Sequence, residues 1–200
     1  MNLIETIKYQ DAKFFNLKLH QSRMDNSIKQ LFGFENKIHL SLELKNHTKN
    51  NRSKLLQKCR ILYNKKIQKI DFTPYSFPKI ESLKIITNNE IEYGCKYENR
   101  DLLNFLYSQK QDFDDILMVK NGLITDTSYC NILFFNGEKW LTPEKPLLKG
   151  VQRQYLINNE IVETANISIS DLKYFTKVRL INAMISFDEK LDISINKISK

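Results

Sequence analysis

Apolar and polar residues alternate over residues 2–9 (NLIETIKY) and again over 13–19 (KFFNLKLH), which predicts two short strands around the turn-like QDA. From His20 to about Leu31 the period lengthens. Met24, Ile28 and Leu31 recur at i, i+4 and i+7, the spacing of one helical face. Residues 58–73 (KCRILYNKKIQKIDFT) return to alternation about an Asn-Lys pair and predict a hairpin. Pro74 and Pro78 then break the pattern. The expected organisation is a small N-terminal α+β lobe over 1–73, a linker over 74–80 and a larger C-terminal α+β lobe over 81–200.

Beyond the break, SLKIITNNEIEYG predicts strand–turn–strand with its bend at Asn88-Asn89. Leu102, Leu103, Phe105 and Leu106 give a helical stripe between Glu98 and about Lys110. Two hairpins follow, turning at Asn121-Gly122 and Asn136-Gly137, because Asn-Gly readily adopts the left-handed backbone that tight hairpins need. Gly150 precedes a helix VQRQYLINNEIV, Ser170 is expected to cap a short helix SDLKYF, and KVRLINAMISF reads as a last strand. Strand-rich lobes with few helices indicate an α+β fold and not a doubly wound sheet. No GxGxxG or GxxxxGK[ST] stands between a strand and a helix, which argues against those nucleotide sites.

Composition narrows the function classes. The 200 residues are 42% hydrophobic, enough for a buried core, and no run of about 18 apolar residues marks a membrane span. The N-terminus MNLIETIKYQ lacks the apolar centre of a signal peptide, so a cytoplasmic protein is expected. Cys59, Cys95 and Cys130 lie far apart and show no metal spacing, and His20, His39 and His47 show none either; reduced thiols and no metal site are expected. The net charge of +8 invites a nucleic-acid reading. Against it, the densest basic stretch, residues 45–58, has no aromatics interleaved for base stacking. Attraction of a small anionic substrate accounts for the charge instead, with no nucleic-acid partner expected.

The chemistry lies in five segments and their order. Residues 3–27 contain Ile4-Glu5-Thr6-Ile7-Lys8 followed by His20-Gln21-Ser22-Arg23 and Ser27. Residues 93–100, YGCKYENR, place Lys96 before Asn99 and Arg100. Residues 121–134 read NGLITDTSYCNILF, residues 147–154 read LLKGVQRQ, and residues 180–186 read LINAMIS. Together these resemble the pyridoxal-5′-phosphate (PLP) dependent class IV aminotransferases: a FETIR-like strand with HxxRL, a Lys-x-x-Asn-Arg segment, a G-x-[VI]-[ST]-E-x-x-x-x-N-[IL]-F hairpin and an L-x-G-[IV]-x-R turn into a helix. The resemblance runs from Leu3 to Ser186 and is strongest to the aminodeoxychorismate lyases.

That resemblance implies a two-lobed fold type IV enzyme, like the D-amino-acid aminotransferases, with a shortened N-terminal lobe. Members usually carry a further strand segment ahead of the FETIR-like strand, and this sequence starts almost at that strand. Lys96 becomes the catalytic, cofactor-bearing lysine. Its amine would attach PLP and later move the Cα proton, work that burial favours by lowering a lysine's pKa. Asp126 stands where the family has Glu. It would hold the pyridine nitrogen protonated, at a reach shorter by one methylene. Arg23 matches the phosphate-binding arginine. Val151 and Gln152, behind Gly150, would offer backbone N–H groups to the phosphate, and Asn182 and Ala183 would close the cup.

Lys8, Arg60 and Arg100 are the candidate cations for substrate carboxylates. The reaction expected is conversion of 4-amino-4-deoxychorismate to 4-aminobenzoate and pyruvate, by a cytoplasmic homodimer. The alternatives are a branched-chain or D-amino-acid transaminase, or a class IV fold that has lost catalysis and serves as a binding module.

Overall fold

In the computed structural model, which describes residues 1–48 and 54–199, the chain forms two units. The first comprises Met1–Phe77 together with Cys95–Asn99; the second comprises Pro78–Gly94 and Arg100–Lys200. Lys96 therefore packs with the N-terminal unit and is not carried by the larger C-terminal one, a correction to the sequence reading. The cause is a backbone attachment of residues 96–98 to residues 2–4.

The first unit is an antiparallel sheet covered on one face by helices. Its strands are β1 (Leu3–Gln10), β2 (Lys13–Phe14), β3 (Gln57–Tyr63) and β4 (Ile67–Pro74), in the order β2-β1-β3-β4. Helix α1 (Leu17–Phe32) lays His20, Met24, Ser27 and Ile28 inward, and α2 (Leu40–Thr48) adds Leu40 and Leu44. Leu3 and Ile7 of β1 and Ile61 of β3 meet Met24 and Ile28 in a core closed to water. Burying such side chains stabilises the fold by about 1.5–3 kcal/mol each.

Alternation in β1 sends Leu3, Glu5, Ile7 and Tyr9 to this helix-covered face, and Ile4, Thr6 and Lys8 to the other. The expected strand over 13–19 shrinks to two residues, because Asn16 turns into the left-handed region (φ 53°) and α1 begins at Leu17. Gly33, at φ 75°, ends α1 and returns its N–H to the Lys29 carbonyl. The basic stretch 45–58 divides between the end of α2 and the start of β3, and its residues 49–53 lie outside the described residues.

The second unit contains two sheets. One holds β5 (Leu83–Thr87), β6 (Asp115–Lys120), β7 (Leu123–Thr127) and, at its edge, β13 (Ile198–Ser199), in the order β13-β5-β6-β7. The other holds β8 (Asn131–Phe135), β9 (Trp140–Pro143), β10 (Glu163–Ala165), β11 (Lys177–Ile181) and β12 (Asp192–Ser194), in the order β10-β9-β8-β11-β12. Leu117 and Val119 from the first sheet share one core with Ile132, Phe134, Val178 and Leu180 from the second. Helices α3 (Asp101–Ser108) and α4 (Val151–Asn158) complete the unit.

The hairpin at Asn121-Gly122 forms as expected, both residues at positive φ (51° and 78°). At Asn136-Gly137 only Gly137 is left-handed. The Asn136 side chain accepts the Glu138 and Lys139 N–H groups, which makes a wider loop. The second strand expected in 91–94 does not form. Ile91, Tyr93 and Cys95 alternate inward but have no ladder there, and the Lys120 ammonium takes the Ile91 carbonyl. Ser168, not Ser170, caps the short 3₁₀ helix Ile169–Tyr174 through a reciprocal box with Asp171.

Candidate active site

Lys96 is fixed through its backbone. Its carbonyl accepts the Ile4 N–H at 2.9 Å, Tyr97 bridges Leu3 in antiparallel fashion, and the Glu98 N–H reaches the Asn2 carbonyl at 3.0 Å. Since β3 pairs with β1 over its length, this segment takes the opposite edge of β1, ahead of the two residues that pair with β2. The lysine thus leaves a short loop pinned to a central strand, a rigid mount for a side chain that must hold one position. Lys96 itself is half-buried.

Beside it lies a network absent from the sequence reading. Glu5 has no exposed surface, and Arg23 grips it with Nε on Oε1 at 2.8 Å and Nη2 on Oε2 at 2.5 Å. His20 Nδ1 lies 2.5 Å from Oε2; the carboxylate can only accept, so Nδ1 carries the proton. Burial opposes the charge on Glu5, yet the Arg23 guanidinium and His20 together bring its pKa down to about 2. Burial also holds His20 below its ordinary pKa, with Arg23 and Lys96 adding to that effect and Glu5 opposing it. The result is a neutral imidazole between a carboxylate and two cations. Glu5 was readable as part of the FETIR-like motif, but nothing local in the sequence said that it would be sealed from water.

On the other face of the same sheet, Lys8 and Arg60 are neighbours by register, since Thr6 pairs with Arg60 and Lys8 with Lys58. Lys8 is buried, its ammonium 5.3 Å from the centre of the Phe15 ring. Arg60 reaches Glu98 at 3.4 Å.

In the second unit Asp126, on β7, is buried at 5% exposure. Its Oδ1 accepts the Asn131 amide at 2.7 Å and its Oδ2 accepts the Leu148 N–H at 2.9 Å. Burial raises its pKa to about 6; the two hydrogen bonds and the Arg153 charge restrain the rise. The shorter Asp keeps its carboxylate near the strand, within reach of both donors.

Gly150 opens α4 with extended backbone and no side-chain cap, ahead of buried Val151 and Gln152. An uncapped first turn is a place for an anion. Arg153 in that turn gives Nη2 to the Pro143 carbonyl at 2.7 Å.

Asn182 organises its own turn. Its Oδ1 accepts the Met184 and Ile185 N–H groups, its Nδ2 points at Cys130 Sγ, and Ala183 follows half-buried. Arg100 gives Nη2 to the Ser128 carbonyl at 2.7 Å and lays its guanidinium 4.2 Å from the Tyr129 ring centre. That contact ties the turn after β7 to the start of α3.

The structure thus gathers Lys96, Arg23, Lys8 and Arg60 in the first unit, and Asp126, Val151, Gln152, Asn182, Ala183 and Arg100 in the second. Sequence reasoning gave no role to Glu5, Asn131 or Arg153, though all three stand within quoted motifs.

Known proteins resemble this chain in sequence and fold. An uncharacterised protein of Haemophilus influenzae is 33% identical over 190 residues, 91% of this chain and 97% of that one. The solved structure of a candidate 4-amino-4-deoxychorismate lyase from Haemophilus somnus 129PT superposes with a TM-score of 0.88 at 31% identity, covering 93% of this chain and 97% of that chain. The PLP-bound form of a hypothetical aminotransferase from Mycobacterium tuberculosis shares the fold, with a TM-score of 0.76 at 12% identity over 98% of this chain and 81% of that chain. Among the described residues no helix is long and apolar enough to cross a membrane. Residues 2–187 match the family Amino-transferase class IV, and the chain belongs to it, a family of PLP-dependent enzymes.

Proposed function

We propose that this protein is an aminodeoxychorismate lyase, releasing 4-aminobenzoate and pyruvate from 4-amino-4-deoxychorismate for folate synthesis. The observation that carries the reading is the likeness to the Haemophilus somnus candidate lyase over almost the full length of both chains. The Lys96-x-x-Asn99-Arg100 spacing agrees with it.

The donor sets fit PLP. A lysine on a rigid mount supplies the attaching amine, and a buried carboxylate of pKa about 6 suits the pyridine nitrogen. Arg23 and the uncapped start of α4 supply cationic and N–H partners for the phosphate. When bound, PLP supplies the sink for electrons set free at the substrate carbon bearing the amine.

The protein's part follows from its own groups. Lys96 Nζ would take the proton from that carbon, which becomes part of the aromatic ring, and the departing enolpyruvyl group takes up a proton in exchange to leave as pyruvate. Ionised Asp126 would hold the pyridine nitrogen of bound PLP protonated. By the family resemblance, Arg23, oriented by Glu5, would serve the phosphate from the first unit, and the Val151 and Gln152 backbone and the Asn182–Ala183 turn are assigned to phosphate binding in the second. Lys8 and Arg60, on one sheet face, are assigned to the substrate carboxylates, with Arg100 as a third cation. The first unit contains 16 Lys and Arg against 7 Asp and Glu, a net +9 that draws anions to it. A cytoplasmic homodimer is inferred, and light scattering at twice the 23.7 kDa chain mass checks the assembly.

The test supplies 4-amino-4-deoxychorismate with no 2-oxo acid. Release of 4-aminobenzoate by the wild type, and none by Lys96→Ala, is the expected result. Turnover only with a 2-oxo acid present makes the protein a transaminase. No lysine-bound visible band on adding PLP removes the PLP reading altogether.

A further inference from the structure

Three separate segments meet around Asp126: β7, which carries it, the first residue of β8, and the loop that leads into α4. Asn131 links them. Its Nδ2 donates to Asp126 Oδ1 at 2.7 Å and to the Leu148 carbonyl at 2.9 Å, and Leu148 returns its own N–H to Asp126 Oδ2 at 2.9 Å. Two acceptors on one amide nitrogen fix which end of Asn131 is which. The other end, Oδ1, lies where a side chain on Gly150 would begin: an ideal Cβ there comes to 1.9 Å from Oδ1 and 3.1 Å from Cγ. Gly150 has φ −68° and ψ 146°, a backbone open to any residue. The demand for glycine is therefore one of space and not of conformation.

We propose that Asn131 is the positioning residue for the Asp126 carboxylate, and that Gly150 is glycine because Asn131's amide occupies the place of its Cβ. The strand carboxylate and the start of α4 are thereby held at one fixed separation. This rests on the assignment of Asp126 to the cofactor's pyridine nitrogen, and adds what holds it there. Among other ionisable groups, the Arg153 charge on α4 acts on Asp126, and Asp126 in turn acts on the buried Cys130 thiol.

The test reads the Asp126 carboxyl by carbon NMR against pH in the cofactor-free protein, then PLP affinity by titration. An amide donor favours the ionised form, so Asn131→Ala should move the Asp126 midpoint upward by about one unit. Gly150→Ala should do the same by displacing Asn131. The decisive result is the pair: with Asn131→Ala in place, adding Gly150→Ala should change the midpoint and the PLP affinity by less than about twofold, because the obstacle is gone. Alone, each variant should weaken PLP binding on the order of tenfold or more, the scale of lost outer hydrogen bonds at bound groups.

If Gly150→Ala harms the protein equally in both backgrounds, the space argument is overturned. If Asn131→Ala leaves the Asp126 midpoint in place, the positioning role is overturned. Asn131→Ser, with a donor of shorter reach, replaces the alanine variant should that fail to fold. Failure of the wild type to bind PLP would remove the cofactor reading, while the NMR titration would still decide the role of Asn131.

Discussion

The first unit hides Glu5 from water and the second hides Asp126, yet the two carboxyls move in opposite directions. Glu5 falls from 4.5 to about 2, whereas Asp126 rises from 3.8 to about 6. Both are desolvated, and in each case burial is the largest single influence. The partners decide the outcome. Glu5 has a guanidinium on both oxygens and a histidine on one, so its charge is compensated within the fold. Asp126 has an amide and a backbone N–H, both neutral, with Arg153 acting without a direct hydrogen bond. A buried carboxylate with its cation built in is a structural centre. One left with neutral donors near its midpoint is poised for a cation from outside, as a protonated pyridine nitrogen would be.

The largest effect should come from breaking the compensated site. Glu5→Gln leaves the Arg23 guanidinium without its counter-charge, and urea unfolding at pH 7 should show a loss of about 3–5 kcal/mol, the range for breaking a buried pair. A loss under about 1 kcal/mol would mean that solvent or neighbouring groups replace Glu5 as the counter-charge of partly exposed Arg23 at little cost.

Next comes the pH dependence of the same group. Its folded pKa is depressed, so its contribution is complete above pH 4.5 and disappears as pH falls through about 2. That shift is worth about 3 kcal/mol. The stability gap between wild type and Glu5→Gln should therefore narrow steadily between those pH values in acid unfolding curves.

Asp126 supplies the opposite sign and a slightly smaller effect. Its folded pKa is raised, so its contribution is present below pH 3.8 and is lost as pH climbs through about 6. Cofactor-free protein should lose about 2–3 kcal/mol across that interval from this group, and Asp126→Asn should flatten the slope. Bound PLP should flatten it as well, through the cation it places there.

The smallest effect concerns charge at longer range. The first unit carries net +9 and the second, with 15 Lys and Arg against 16 Asp and Glu, net −1. Part of the excess lines an open cleft between α2 and the β3–β4 turn, of about 710 Å³, with Lys37, Lys65, Lys66 and Lys69 around it. Raising ionic strength from about 0.01 to about 1 M shortens the screening length roughly tenfold, and kcat/KM for the proposed anionic substrate should fall on the order of tenfold. A flat response would show that capture depends only on groups in contact with the substrate.

Much of this architecture was legible in the chain. The Met24–Ile28 stripe marked α1, and Asn121-Gly122 placed a tight hairpin at its observed turn. The motif order pointed to the family that residues 2–187 match. The misreadings share a cause. KFFNLKLH and EIEYG alternate as strands do, but Leu17 starts a helix and Ile91–Cys95 packs inward as a loop. Alternation records which residues face inward. It does not record whether a neighbouring strand offers hydrogen bonds, and that was missing at 91–95.

What the sequence determined by itself was local: periodicity, turn chemistry, the excess of lysine, and residue types at family spacings, all set by interactions between near neighbours. Only the tertiary structure decided the rest. It tied Lys96 to Ile4, far earlier in the chain, and so moved the lysine into the N-terminal unit. It put Asn131 in the space that a Gly150 side chain would fill. It also set two similar carboxyls on opposite sides of their ordinary pKa values, because a charge state depends on how much water is removed and on which distant residues replace it.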